Sequence, residues 1–154
     1  MLKHILVPID FRFFTRAPLT TAAMLARENG ADITLLYVED PNGNIPGVPF
    51  TPIPADQIDR FNRYVAQFLT DAALVVLRHG AWARVQSVRG APAHAVIREY
   101  AAASKADLIV MGTHGRAGSS NAAWSTVADE VVASSDVPVV VIHDATNPAR
   151  RLSA

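Results

Sequence analysis

HILVPIDFRFFTRAPLTTAAMLARENGADITLLYV, residues 4–38, holds two apolar runs on either side of a segment with a different periodicity. HILVPID (4–10) is continuously apolar as far as Pro8 and Asp10, the pattern of a strand buried on both faces of a parallel sheet. APLTTAAMLAREN (17–29) puts Leu19, Ala22, Ala23 and Ala26 at helical spacing and stops before Gly30, a residue suited to the left-handed turn that ends helices. DITLLYV (32–38) is a second buried strand. Strand, helix and strand at this spacing predict a right-handed crossover and parallel pairing.

The alternation continues outward from this unit. Residues 40–54, DPNGNIPGVPFTPIP, contain five of the ten prolines, which excludes regular structure and predicts a long loop. Loops of that length usually cover a site or move. A helix follows from Ala55, with Ile58, Phe61, Val65, Phe68, Ala72 and Val75 stepping by three and four until His79 and Gly80 end it. ARVQSV (83–88) alternates, as a strand near the sheet edge does. Then come a helix around PAHAVIREYAAAS (92–104), the strand DLIVM (107–111), a glycine loop, a helix beginning at about Ser125, and the strand VPVVVI (137–142). The order βαβαβαβαβ predicts an α/β domain, a single open five-stranded parallel sheet with helices on both faces, Rossmann-like in plan. Such sheets bind ligands outside the carboxyl ends of their strands, where the winding direction reverses. Asp10, Val38 and Gly112 fall at predicted strand ends. The domain is expected to span 1–143, with 144–154 a polar tail.

Composition limits the partners. Lys plus Arg equals Asp plus Glu at 14 each, so no net field draws the chain to nucleic acid or to an anionic membrane. Any anion must be held locally. The absence of cysteine excludes disulfides and thiolate chemistry and suits a reducing cytoplasm, the expected location. No stretch approaches the roughly 18 apolar residues of a membrane span.

MGTHGRAGSSNAAWST, residues 111–126, follows the apolar run DLIVM and spaces its residues as Gly112-x2-Gly115-x9-Ser125-Thr126. Open backbone amides followed by a helix N-terminus form an anion site, and glycines let phosphate oxygens approach the chain. The same pattern also suits an ordinary strand-to-helix turn, and spacing alone does not separate the two.

Four segments in order resemble the universal stress protein family: KHILVPID (3–10), LLYV (35–38), VRGAPAHAVIREYAAASKADLIVMGTHGR (88–116) and VADEVVASSDVPVVVI (127–142). The resemblance covers nearly the whole chain and implies a fold of the adenine nucleotide alpha hydrolase type. In the ATP-binding branch the loop reads Gly-x2-Gly-x9-Gly-Ser/Thr. The resemblance therefore implies an adenosine end at Pro8, Ile9, Asp10, Val38 and Met111, and a phosphate end at Gly112, Gly115, Ser125, Thr126 and Val127. Arg116, at the loop rim, is a further candidate for phosphate contact. The chemistry agrees, since Asp10 can accept hydrogen bonds from ribose hydroxyls and the Thr126 hydroxyl can donate to phosphate. The implied ligand is ATP, with Mg²⁺ brought by the phosphates, or another adenine nucleotide. The family also pairs its last strand across a two-fold axis, which implies a homodimer through residues 138–142.

Ser125 departs from the pattern by standing where the third glycine is expected. A positive φ there would cost about 1–2 kcal/mol, or roughly a tenfold loss of affinity, whereas an ordinary φ would bring only crowding. The family has a second branch that lacks the loop and binds no ATP. The first turn is also unusual, with Arg12, Phe13, Phe14 and Arg16 where small polar residues are common. Either an arginine meets phosphate and a phenylalanine stacks on the base, or the phenylalanines cover the sheet end and the arginines are solvated; the second is adopted. His114 is taken as an exposed loop residue, since no other histidine or carboxylate stands at ligand spacing. Trp124, placed before the helix, is taken as a hydrophobic staple.

The function expected is that of a small regulatory protein that binds an adenine nucleotide, with at most slow, incidental ATP hydrolysis and an unidentified protein partner. The alternative is a nucleotide-free dimeric interaction protein with a degenerate phosphate loop. An adenylyl-transferring enzyme is a third class, disfavoured because no second-substrate signature is visible.

Overall fold

In the computed structural model, which describes residues 1–10, 16–41, 53–113 and 122–143, the apolar runs of the sequence form the strands. These are β1 (His4–Ile9), β2 (Asp32–Glu39), β3 (Ala83–Arg89), β4 (Leu108–Thr113) and β5 (Val139–His143). The helices between them are α1 (Ala17–Asn29), α2 (Ile58–Arg78), α3 (Ala93–Ala103) and α4 (Ala122–Ser134). Every ladder is parallel and the strand order is β3-β2-β1-β4-β5. This is the doubly wound α/β sheet expected. β3 lies at one edge, as its alternating pattern predicts, and β5 at the other.

Two apolar layers sandwich the sheet, and strand alternation assigns side chains to each. Ile5, Val7 and Ile9 of β1, Ile33 and Leu35 of β2, and Leu108 and Val110 of β4 pack with α1 and with Ala72, Val75 and Val76 of α2. Leu6, Leu36, Ile109 and Met111 pack on the other face with Ile97 and Ala101 of α3 and Val127, Ala128 and Val131 of α4. Each large aliphatic side chain removed from water contributes about 1.5–3 kcal/mol. The central strands β1, β2 and β4 are buried on both faces, which explains why they read as unbroken apolar runs.

Helix ends follow local chemistry. Gly30 takes φ 67° and its N–H bonds Ala26 O, closing α1. The ring of His79 donates through Nδ1 to Val75 O at 2.8 Å, and Gly80 turns the chain at φ 80°. Residues 55–57 form one 3-10 turn before α2. The apolar stripe of α2 has the expected phase, but only its second half docks: Ala72 and Val75 are buried, Phe61, Val65 and Phe68 are half-buried, and Ile58 is exposed.

Three boundaries differ from expectation. β4 runs on through Gly112 to Thr113, because β5 supplies partners as far as Gly112↔Ile142 and Thr113↔His143. β5 begins at Val139 rather than Val137. α4 begins at Ala122, three residues before Ser125, since Ala122 and Ala123 are strong helix formers. Trp124 therefore lies inside the helix and is not a staple preceding it. The long loop was expected over 40–54; 42–52 lie outside the described residues, as do Arg12, Phe13, Phe14 and the tail 144–154.

The amino end of the sheet carries a network that the sequence did not announce. The Asp107 carboxylate accepts from the backbone N–H of Lys3 at 2.7 Å and of His4 at 2.9 Å, and these bonds hold its pKa below the ordinary value of 3.8. The His4 ring spans two elements, with Nδ1 3.2 Å from Ser104 O and Nε2 2.8 Å from Thr34 Oγ1. A carbonyl only accepts, so Nδ1 carries the proton, and in the neutral ring Nε2 accepts from the Thr34 hydroxyl. This satisfies buried Thr34, which is 1% exposed.

Candidate ligand crevice

Winding reverses between β1 and β4. The chain builds β1, β2 and β3 in one direction, then returns to lay β4 on the other side of β1. The reversal shows in how the strands pair. β1 pairs with β2 over six residues, His4↔Asp32 to Ile9↔Tyr37, and β4 pairs with β5 from Ile109 to Thr113. Between β1 and β4, in contrast, the ladder holds only Ile5↔Leu108 and Leu6↔Ile109 among the described residues. Past Leu6 and Ile109 the two central strands run on without pairing to each other.

Several expected residues lie at the carboxyl ends of β1, β2 and β4. Asp10 follows β1 directly and is 6% exposed. Counted along the register from Ile9↔Tyr37, it stands level with Val38 at the end of β2. Val38 is half-buried against the layer that contains Met111 and Val127. Pro8 is buried beneath Asp10 on β1. Met111 is 0% exposed and packs in the layer of α3 and α4. Ile9 turns the other way, into the layer of α1 and α2. Gly112 is part of β4, paired with Ile142, and is partly exposed.

Of the phosphate end, Val127 is buried in the layer of α3 and α4. Ser125 and Thr126 lie in the opening turns of α4, and nothing further is described of their side chains; Gly115, Arg116 and His114 lie outside the described residues. A residue within an α-helix has right-handed φ, so the left-handed strain considered for Ser125 does not arise. Arg16, which precedes α1, is exposed.

Two features at the crevice end escaped the sequence. The Arg89 guanidinium donates to Pro41 O at 3.2 Å and the Gly90 N–H to Glu39 O at 2.9 Å, fastening β3 to the chain leaving β2. His94, near the start of α3, meets Glu130 of α4 through Nδ1 and Oε2 at 2.7 Å. His94 and Glu130 are far apart in sequence and carried no spacing signal. Thr113 was also overlooked, although it directly follows Gly112, and it is 5% exposed. No group of three metal-ligating side chains occurs among the described residues, and no helix there is long and apolar enough to cross a membrane.

Comparison with known proteins agrees with this architecture. The model of the universal stress protein family matches residues 1–143. A universal stress protein of Methanocaldococcus jannaschii is 27% identical over 148 residues, which cover 91% of this chain and 81% of the relative. A crystal structure of a universal stress protein family member from Burkholderia pseudomallei superposes with a TM-score of 0.67 at 26% identity, covering 93% of this chain and 97% of the other. The universal stress protein of Archaeoglobus fulgidus in complex with dAMP gives 0.65 at 24% identity, covering 92% and 99%.

Proposed function

The chain belongs to the universal stress protein family, and from that premise we propose that it is a small regulatory protein that binds ATP or a related adenine nucleotide in the crevice between β1 and β4. The observation that carries this reading is the early end of the β1–β4 ladder, with Asp10 buried at one lip and Gly112 and Thr113 at the other. That gap sits where an open α/β sheet takes its ligand. The complex of the Archaeoglobus fulgidus relative with dAMP supports an adenine nucleotide as the ligand class.

In this reading Pro8, Ile9, Asp10, Val38 and Met111 form the adenosine end. Asp10 accepts from sugar hydroxyls, and Val38 lines a slot for the base over Met111. Gly112, Gly115, Arg116, Ser125, Thr126 and Val127 form the phosphate end, where the α4 N-terminus adds its dipole. Mg²⁺ would come with the phosphates rather than in a protein cage. The domain spans 1–143, leaving 144–154 as a tail, and the protein works in the cytoplasm. It acts by binding and not by turnover, with hydrolysis slow and incidental. The β5 edge pairs with a second copy of the chain.

The test begins with freshly purified protein, denatured so that any released nucleotide can be identified by chromatography. The emptied protein is then titrated with ATP and Mg²⁺ beside a Gly112→Val control. Stoichiometric adenine nucleotide, or a Kd on the order of micromolar that the control loses, is the expected result. Absence of saturable binding at millimolar ATP would overturn the reading. It would favour the nucleotide-free dimeric interaction protein, the second reading, which Ser125 in place of the third loop glycine supports.

A further inference from the structure

The apolar stripe of α2 occupies one side of that helix, and a second side carries a pattern of its own. At about 100° per residue, Arg60, Tyr64, Gln67 and Asp71 fall within about 60° of arc and form one flank. All four are exposed, Tyr64 by 58%. Phe61 and Phe68 border the flank and are half-buried. Aromatic and arginine side chains are the residue types that protein interfaces favour.

Charge decides what the flank fits. Arg60 and Arg78 are basic and Asp56 and Asp71 acidic along this side of the chain, so no net sign selects an acidic partner, a basic partner or an anionic lipid surface. A mixed surface is answered by one with the reverse order of charge, and α2 itself supplies that order. From Arg60 the intervals to Tyr64, Gln67 and Asp71 are four, three and four residues, a sequence that reads the same from either end. When two antiparallel helices are related by a two-fold axis, the same flank of each faces the other. An axis level with Val65 and Ala66 therefore sets Arg60 against Asp71 of the second copy, Asp71 against its Arg60, and Tyr64 against its Gln67. Each charge then stands about 8 Å along the helix from the axis. Parallel pairing would instead oppose Arg60 to Arg60 and Asp71 to Asp71, which repel. Gln67 Nε2 donates to Asp71 Oδ1 at 2.9 Å, which orients the carboxylate and leaves Oδ2 to accept from a guanidinium.

We propose that this flank of α2 is a self-association surface that pairs antiparallel with the same flank of a second copy through two Arg60–Asp71 ion pairs. α2 packs on β3, at the sheet edge opposite β5, so the surface is separate from the β5 contact and does not rest on the nucleotide reading. A single helix pair is a small interface, and association on the order of 100 µM is expected.

The experiment measures sedimentation in a Val140→Lys background, which sets the β5 contact aside, at concentrations spanning that value. The parent, Arg60→Asp, Asp71→Arg and an equimolar mixture of the two are compared, with circular dichroism as the check on folding. The parent mass should rise with concentration towards that of two chains. Each single variant opposes like charges at both ends of the contact and should associate more weakly by roughly tenfold. The mixture should recover association, because the two introduced charges then face each other and the two native ones do the same. If Val140→Lys does not fold, the same comparison in the wild-type background gives the same ranking of masses. A parent mass independent of concentration overturns the inference. Single variants that associate like the parent, or a mixture no more associated than its components, also overturn it, since the two charges then do not meet across a contact.

Discussion

Gly90 shows how a single residue can be required by packing rather than by backbone conformation. It follows β3 where the chain turns toward α3, and a Cβ built on it would lie 2.8 Å from Cγ2 of Val96. Valine is stiff at χ1 and cannot swing away. Gly90→Ala should therefore destabilise the protein by about 1–3 kcal/mol in urea denaturation, and Val96→Ala added to it should restore part of the loss. Additive losses in the double variant would refute the contact. Asp107 makes a prediction of another kind. Two backbone N–H donors lower its folded pKa, so its contribution to stability is fully present above its ordinary value of 3.8 and disappears as pH falls through the lower folded value. Asp107→Asn should reduce stability at neutral pH and flatten part of the acid limb of a stability-against-pH curve; an unchanged acid limb would count against it. Neither residue could be singled out beforehand. A glycine in a loop and an aspartate before a strand have many ordinary roles, and only the neighbours brought by folding choose among them.

At the scale of elements, phase was legible and docking was not. The three- and four-residue spacing of α2 correctly identified which side chains share a face, yet Ile58 at the start of that stripe is 44% exposed while Ala72 near its end is 0% exposed. The stripe is longer than the surface that α1 and the sheet offer it. Ile58→Ala should then change stability by no more than about 0.5 kcal/mol. Ile97→Ala should cost about 2–5 kcal/mol, because Ile97 is a fully buried side chain of α3, which packs against β2 and α4. Comparable effects at the two positions, measured by chemical denaturation, would mean that the apolar face of α2 is covered along its whole length. The early start of α4 has a related cause. The sequence offers alanines and a tryptophan after a glycine-rich segment, and helix propensity extends the helix back through them where turn chemistry suggested a later start.

For the whole molecule, the strand order leaves β5 at an open edge, with Val140 37% exposed and Val132 of α4 51% exposed beside an uncharged strand. Unpaired apolar edges invite strand addition. If β5 is the proposed dimer contact, Val140→Lys should yield a species of half the mass in sedimentation while circular dichroism stays native-like; an unchanged mass would place the contact elsewhere or remove it. The same strand order divides what each level of description decided. Apolar runs, helical spacing and glycine stops are local properties, so the sequence by itself determined the nine alternating elements, the parallel α/β class and the placing of Asp10 and Val38 at strand ends. The order β3-β2-β1-β4-β5, the early end of the β1–β4 ladder and the pairing of His4 with Thr34 are relations between residues distant in the chain. Only the tertiary structure decided those, because they depend on which faces pack together once the strands have been laid side by side.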